Sequence, residues 1–353
     1  MTDPLLLVGC GAVTSVGLTA AQTCAAIRCA LAGFEESDFF FEGVDGDPIV
    51  AARVPSPRSP QDEHPLNRVA KLAAHAIREC IQEGKPTPGR TALLIGWREP
   101  WREHPEWDGK EDELLRRIER RLDFRFHPSS RVIPSGRASV FQALVEARDL
   151  LKSGNVNCCL VGGADSFLNE EDLTRLEGSF RLKSPDIPQG LIPGEGAAFL
   201  AVASGGTSLK TRRMSIRGIG LSKEDAAHTV MSAGHPTGRA LISALHAALS
   251  DAQLPESIVS WRLSDLNGEF YGAIDSLLAL SRVYRTRRDR LEICHPADCV
   301  GEIGAAAGAL LIIVAATAME KGYAPGLVAM CEGSSDSGMR AACLVADPAA
   351  LKR

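Results

Sequence analysis

Along the whole chain, short apolar runs that favour β-strands alternate with longer alanine-rich stretches that favour helices. This alternation is typical of a parallel or mixed sheet covered by helices, so we predict an α/β fold. The predicted strands are at 4–9, 91–96, 157–162, 196–203, 213–220, 258–264, 326–331 and 340–346. The predicted helices are at 19–32, 65–83, 111–122, 138–153, 237–252, 272–284 and 304–321.

The alternation is interrupted once, near 204–212, where a Gly/Ser turn leads into a basic run. The 353 residues are enough for two halves of about 150 to 200 residues that share one core. We therefore predict an N-terminal half at 1–205 and a C-terminal half at 206–353. Two polar segments, near 35–64 and 97–125, are predicted to be surface insertions in the N-terminal half.

Charge and cysteine usage narrow the class of protein. The net charge of −5 gives no overall attraction to nucleic acid or to an anionic membrane. The N-terminus lacks the features of a signal peptide, and no run of about 18 apolar residues is present, so we expect a cytoplasmic protein that does not enter the membrane. The 10 cysteines are scattered, which indicates buried reduced thiols rather than a disulfide scaffold.

Five segments carry recognisable motifs, and they follow one another along nearly the whole chain: VGCGAVTSVG within 8–34, IPSGRASV within 133–167, GLIPGEGAAFLAVA at 190–203, DLNGEFYGAIDSLLAL at 265–280 and HPADCVGEIGAAAG within 295–322. Taken together and in this order, they resemble the β-ketoacyl synthase branch of the thiolase superfamily. The resemblance implies a five-layered αβαβα fold with two halves related by a pseudo-twofold axis. It also implies a homodimer, or pairing with a related subunit.

When the five segments are matched position by position to the family's motifs, the catalytic residues of the family are missing here. In the family a cysteine nucleophile begins a helix, where the helix dipole favours the thiolate. Arg137 occupies that position, and a guanidinium stays protonated, so it can neither attack a thioester nor act as a base. The other family positions fall on Asp265 and Glu302 for the two histidines, Ala297 for the lysine and Ser337 for the gating phenylalanine. We expect no catalytic residue.

These replacements suggest a common arrangement. A cation at a helix N-terminus is opposed by the macrodipole, so a buried Arg137 requires carboxylates nearby. Asp265 and Glu302 would supply them. We therefore predict an ion-paired cluster that fills the former active site and links the two halves.

Other groups with chemical potential have simpler interpretations. Ser135 and Ser139 flank Arg137, but no histidine in the matching segments could serve as their base, so turn and capping roles are favoured. Cys294, His295 and Cys299 are close in sequence, yet a structural zinc site needs a second ligand pair, and none is evident. We expect no metal and no cofactor, and Gly9-Cys10-Gly11 lacks the remainder of a dinucleotide fingerprint.

Two segments are candidates for contact with a protein partner. Trp97, Trp101 and Trp107 lie in a polar segment, and tryptophan is enriched in binding hot spots; internal packing explains them equally well. The arginine-rich run RVYRTRRDR at 282–290 could bind an acidic partner, or it could be the solvated end of a helix.

The leading hypothesis is a pseudoenzyme that binds a protein partner as an adaptor, chaperone or scaffold. The chain resembles shortened synthase-like proteins encoded with type VI secretion effectors, which implies an effector or secretion component as the partner. One alternative is a chain-length-factor-like subunit of an active β-ketoacyl synthase in fatty acid or polyketide synthesis, with the synthase or acyl carrier protein as partner. The other alternative is an acyl-binding enzyme with altered chemistry.

Overall fold

The structure is a computed structural model that describes residues 3–41, 46–55, 64–103, 107–205, 214–232 and 234–351. Its strands are β1 (Leu5–Val13), β2 (Glu35–Phe40), β3 (Pro48–Ala51), β4 (Thr91–Trp97), β5 (Arg131–Pro134), β6 (Cys158–Ser166), β7 (Glu195–Ser204), β8 (Ser215–Lys223), β9 (Trp261–Ser264), β10 (Glu292–Cys294), β11 (Val328–Ser334) and β12 (Met339–Ala346). Its helices are α1 (Ala20–Arg28), α2 (Pro65–Gly84), α3 (Glu111–Leu122), α4 (Ser139–Ser153), α5 (Glu170–Gly178), α6 (Arg239–Ala252), α7 (Phe270–Val283), α8 (Ala297–Val300) and α9 (Ala307–Glu320).

Ten of these strands form one mixed sheet that consists of two five-stranded halves with the same topology. The strand order is β5-β4-β6-β7-β1 in one half and β10-β9-β11-β12-β8 in the other. In both halves the first three strands in this order run parallel to one another. The fourth strand pairs antiparallel with the third, and the fifth pairs antiparallel with the fourth. The halves join where β1 pairs with β8, through Leu5 with Ile216 and Leu6 with Ser215.

Each five-stranded half of the sheet forms one layer, and helices lie between the two halves and on their outer faces. Helices α4 and α9 lie between the two halves and contact strands of both, and α9 is buried along almost its whole length. Helices α2 and α3 cover the outer face of the first half, while α6 and α7 cover the outer face of the second. The result is the predicted five-layered αβαβα arrangement, so the fold class is confirmed. None of the described helices is both long enough and apolar enough to cross a bilayer.

All the predicted strands and helices have counterparts, with ends that differ by a few residues. The sequence patterns missed β2, β3, β5, β10, α5 and α8. Most of these elements are too short to show a period, and β5 and β10 are edge strands. Most of the predicted turn at 204–212 lies outside the described residues, as do 42–45, 56–63 and 104–106 of the two predicted insertions.

The tryptophan-containing segment is not a surface insertion throughout. Trp97 is only 3% exposed and Trp107 only 1%, and their rings lie 5.3 Å apart at a tilt of 49°. They pack with α3, which buries Leu114 and Ile118 in the same cluster. The expectation that Trp97 and Trp107 contact a partner is therefore corrected, because both indoles are enclosed by their own domain. Trp101 is half-buried, and for it partner contact stays a prediction.

Candidate functional site

Arg137 lies at the junction between β5 and α4, on the side of the sheet where the two halves meet. A single 3-10 turn at Gly136–Ala138 leads directly into α4. Gly136 has a φ of +50°, and a Cβ at this position would lie 2.2 Å from Oε1 of Glu99, so glycine fits both the backbone and the space. The corresponding turn in the second half, Gly304–Ala306 before α9, also begins with a glycine at positive φ.

The guanidinium of Arg137 is bound by groups that come from the C-terminal half. Nη1 donates to Oε2 of Glu302 at 3.0 Å, and Nη2 donates to Oδ1 of Asp336 at 3.0 Å. Nε donates to the carbonyl of Ser334 at 2.9 Å and lies 3.4 Å from Oδ2 of Asp265. The ion pairs of Arg137 with Asp265 and Glu302, predicted from the sequence, are therefore confirmed, and Asp336 is an additional partner.

A second arginine extends the cluster. Arg181 donates to both carboxylate oxygens of Glu269, at 2.6 and 2.9 Å, and its Nη1 lies 2.9 Å from Oδ2 of Asp336. The amide of Asn267 donates to Glu302 at 2.6 Å and to Glu269 at 3.0 Å. One hydrogen-bonded network therefore runs from Arg137 to Arg181.

Backbone groups fix the acidic side chains in place. Asp265 directly follows β9, and its Oδ2 accepts the amide N–H of Ser334 at 2.7 Å. Glu302 accepts the N–H of Gly304 at 2.7 Å through Oε1. The backbone of Glu302 forms a parallel bridge to Pro193, which belongs to the first half. These contacts hold the carboxylates of Asp265 and Glu302 beside the guanidinium of Arg137.

Burial and charge act against each other in this cluster. Burial raises the pKa of Asp265 to about 6 and raises that of Glu302, in both cases against the pull of Arg137. Burial would also raise the pKa of Asp336, but Arg181 and Arg137 together lower it below the ordinary value. Burial opposes the charge on Arg137, yet the carboxylates raise its pKa well above the usual range, so this guanidinium is a permanent cation.

Glu99 also connects the two halves. It follows β4 and is buried; Oε1 accepts the N–H of Asp336 at 2.9 Å, and Oε2 accepts the hydroxyl of Ser335 at 2.7 Å. Burial, followed by the nearby charge of Asp336, raises its pKa to about 7. This carboxyl therefore changes charge close to neutral pH.

Little space remains around the cluster. The cavity bordered by Arg137, Asp265, Tyr271 and Arg340 measures about 30 Å³, and two neighbouring voids measure about 10 Å³ each. A void of about 10–15 Å³ holds one water molecule, so these spaces hold a few waters at most. None of the described residues that line them is a histidine.

The remaining predicted positions differ in their surroundings. Ala297 begins α8 and borders one of the small voids beside Asp265 and Glu302. Ser337 is exposed at the turn between β11 and β12, and its hydroxyl oxygen lies 2.8 Å from that of Ser335. It is Asp336, its neighbour in the chain, that reaches the arginines.

The alternative reactive groups are accounted for by packing. Ser139 is buried, and its hydroxyl donates to the carbonyl of Gly136 at 2.6 Å, so it stabilises the turn before α4. Cys158 and Cys159 are buried in β6, and burial raises the pKa of the Cys158 thiol to about 12. Across the part of the chain that the structure describes, no group of three or more His, Cys, Asp or Glu side chains is arranged to hold a metal ion.

Several members of the cluster were not found from the sequence. Sequence analysis could have found Asp336, because it is the neighbour of Ser337, the position matched to the gating phenylalanine. Arg181 and Glu99 carry no motif and follow ordinary secondary-structure elements. Their part in the site depends on which loops the two halves bring together.

The fold has the architecture of ketosynthases, and comparison with solved structures gives the same fold. No protein-family model and no curated protein sequence matches the chain. The ishigamide ketosynthase/chain length factor superposes with a TM-score of 0.79 at 20% identity, over 98% of this chain and 100% of that chain. For a β-ketoacyl synthase from Burkholderia phymatum STM815, the TM-score is 0.75 at 18% identity, over 98% and 99% of the two chains.

A third similar structure is the ketosynthase ApeO in complex with its chain length factor ApeC, from Xenorhabdus doucetiae. Its TM-score is 0.78 at 14% identity, and 98% of each chain is covered. At such identities the likeness concerns the fold. The chain therefore has the thiolase-like fold shared by ketosynthases and chain length factors.

Proposed function

We propose that this protein is a catalytically inactive, ketosynthase-like subunit that acts by binding another protein. The observation that carries the proposal is the position of Arg137: it stands before α4, where the resemblance places a nucleophile, and is bound to Glu302, Asp336 and Asp265. A permanent cation held by three carboxylates has no lone pair to offer a thioester.

The space around Arg137 supports the same conclusion. Condensation would require a pocket for an acyl chain and a donor for the developing oxyanion. The cavity holds a few waters at most, and the two arginines that border it, Arg137 and Arg340, are already paired with carboxylates. An acyl-binding enzyme with altered chemistry is disfavoured for the same reason, because the carboxylates are engaged with arginines and not open to a substrate.

The similar structures favour a ketosynthase as the partner. Two of them are named as a ketosynthase with a chain length factor, and a third is named as an acyl carrier protein in complex with its ketosynthase. A chain with this fold and without the nucleophile fits the place of the non-catalytic subunit in such a pair. The type VI adaptor hypothesis also requires an inactive site, so the site does not separate the two hypotheses. The identity of the partner does.

The test is to purify the tagged chain from its native host and to identify stoichiometric partners by mass spectrometry. Recovery of a ketosynthase that retains its cysteine supports the subunit proposal, whereas recovery of a secretion effector replaces it with the adaptor. In parallel, the purified chain is assayed for decarboxylation of a malonyl thioester. Turnover above that of a heat-inactivated sample contradicts the claim of inactivity, whichever partner is found.

A further inference from the structure

Helix α7 exposes large apolar side chains to solvent and buries a carboxylate. Asp275 and Ser276 face the protein interior, where Asp275 accepts from Arg340 at 2.8 Å and from the N–H of Gly238 at 2.8 Å. In contrast, Phe270 is 67% exposed and Leu277 is 58% exposed. A surface helix of a globular protein normally turns its apolar side chains inward, as α7 does with Ala279 and Val283, so the exposed Phe270 and Leu277 are the unusual feature.

The exposed side chains form one continuous face. Phe270, Ala273 and Leu277 are spaced i, i+3 and i+7, which places them on the same side of a helix, and all three are exposed. Ile274, between them, is half-buried. Leu277 lies about 10 Å along the axis from Phe270 at 1.5 Å per residue, so the face is long enough for about two turns of a second helix.

Another exposed phenylalanine is connected to the start of α7 through an ion pair. Phe180 is 77% exposed and has a φ of +57°, a conformation that bulky side chains rarely adopt. It precedes Arg181, whose guanidinium is bonded to Glu269, the residue before Phe270. The two exposed phenylalanines therefore flank one ion pair.

The end of α7 and the segment that follows it carry a group of arginines. Arg282, Arg285 and Arg287 are exposed, and none of them forms an ion pair with a described carboxylate. In the same run, Arg288 is paired with Glu256. The dipole of α7 accounts for one cation in its last turn, but Arg285 and Arg287 lie past the helix end. The chain carries a net charge of −5, so this positive group is local.

We propose that the outward face of α7 (Phe270, Ala273 and Leu277) and the arginines that follow it form a docking surface for an acidic amphipathic helix of the partner protein. The apolar side chains would receive the apolar face of that helix, and the unpaired arginines would meet its carboxylates. This inference rests on the proposed function, since it supplies the surface through which an inactive subunit binds.

A second copy of this chain fits the surface less well. In a symmetric dimer through α7, the arginines of each copy would face either α7 of the other copy or its arginines, and α7 directs no carboxylate outward to pair with them. Burying cations without a counter-charge, or placing like charges opposite each other, opposes association. An acidic segment supplies the missing counter-charge.

The test uses two fluorescein-labelled synthetic peptides and fluorescence anisotropy. One peptide is a helix with leucines on one face and glutamates on the other, and the second has lysine in place of each glutamate. We expect saturable binding of the acidic peptide and none of the lysine peptide, and added salt should weaken the binding. Leu277→Glu and the double variant Arg285→Glu with Arg287→Glu should each weaken it by about tenfold or more. Leu31→Glu, at a leucine that is 59% exposed in the other half, should leave it unchanged.

Three outcomes overturn the proposal: no saturable binding of the acidic peptide, equal binding of both peptides, or binding that Leu277→Glu does not change. A fourth is conversion of a dimer to a monomer by Leu277→Glu in size-exclusion chromatography with light scattering, which identifies a second copy as the occupant. The proposed function fails separately: if wild-type protein turns over a malonyl thioester, inactivity is wrong whatever the peptides do. If Leu277→Glu still co-purifies with the host partner, only this surface is wrong.

Discussion

Nη1 of Arg137 lies 3.0 Å from Oε2 of Glu302, although the two residues are 165 positions apart in the chain. Arg137 belongs to the turn before α4, and Glu302 lies two residues before Gly304–Ala306, the equivalent turn before α9 in the other half. The pair therefore joins the two halves at the centre of the molecule. At the position that resembles a catalytic centre, this ion pair connects the two halves.

Replacing Arg137 with alanine is expected to lower the free energy of unfolding by about 3–5 kcal/mol, because Glu302, Asp265 and Asp336 lose the cation that balances them in a buried setting. Chemical denaturation followed by circular dichroism measures this. Arg131→Ala breaks an exposed pair with Glu146 and is the matched control, with a loss of at most about 1 kcal/mol. Equal losses for the two variants would contradict the structural role of Arg137.

Introducing a cysteine at position 137 is expected not to create condensing activity. In Arg137→Cys, the new thiol faces Asp265 and Glu302 instead of histidines, and nearby carboxylates raise a thiol pKa. The thiol should therefore react slowly with iodoacetamide at pH 7, and decarboxylation of a malonyl thioester should stay at the background level. Condensing activity from this single change would show that the site has kept more of its machinery than Arg137 suggests.

Stability should depend on pH through Glu99. Its pKa is about 7 in the folded chain against an ordinary value of 4.5, so the folded state binds the extra proton between these values. The free energy of unfolding therefore falls as the pH rises through this interval, and Asp265 acts in the same direction up to about pH 6.

Glu99→Gln removes the contribution of Glu99. The stability of this variant relative to wild type should rise by about 2 kcal/mol from pH 5 to pH 8. Urea titrations at the two pH values provide the measurement, and Glu36→Gln, at an exposed glutamate, is the control. A pH-independent difference between wild type and Glu99→Gln would rule out a raised pKa for Glu99.

The buried tryptophan pair gives a test of the packing around α3. Trp107→Ala should cost about 3–5 kcal/mol, because it leaves a large cavity beside Trp97 and the buried face of α3. Trp101→Ala should cost less, since that side chain is only half-buried. Thermal unfolding of the two variants shows the order, and a larger loss for Trp101→Ala would contradict it.

Much of the architecture could be predicted from local patterns. Strand and helix periods are properties of neighbouring residues, so β6, β7 and the apolar helix α9 were predicted with small errors at their ends. The short edge strands β5 and β10 were missed, because three or four residues carry too little pattern, and their pairing with β4 and β9 is what makes them strands.

The sequence by itself determined the α/β class, the absence of a cysteine before α4 and the residues, Asp265 and Glu302, that would have to balance Arg137. Only the tertiary structure decided that Asp336 and Arg181 complete the cluster and that Trp107 is enclosed. Charge and helix propensity depend on each residue and its near neighbours. The burial of a side chain and its ion-pair partners depend instead on which distant segments of the chain come into contact. In this protein those contacts occur where two halves with the same topology face each other.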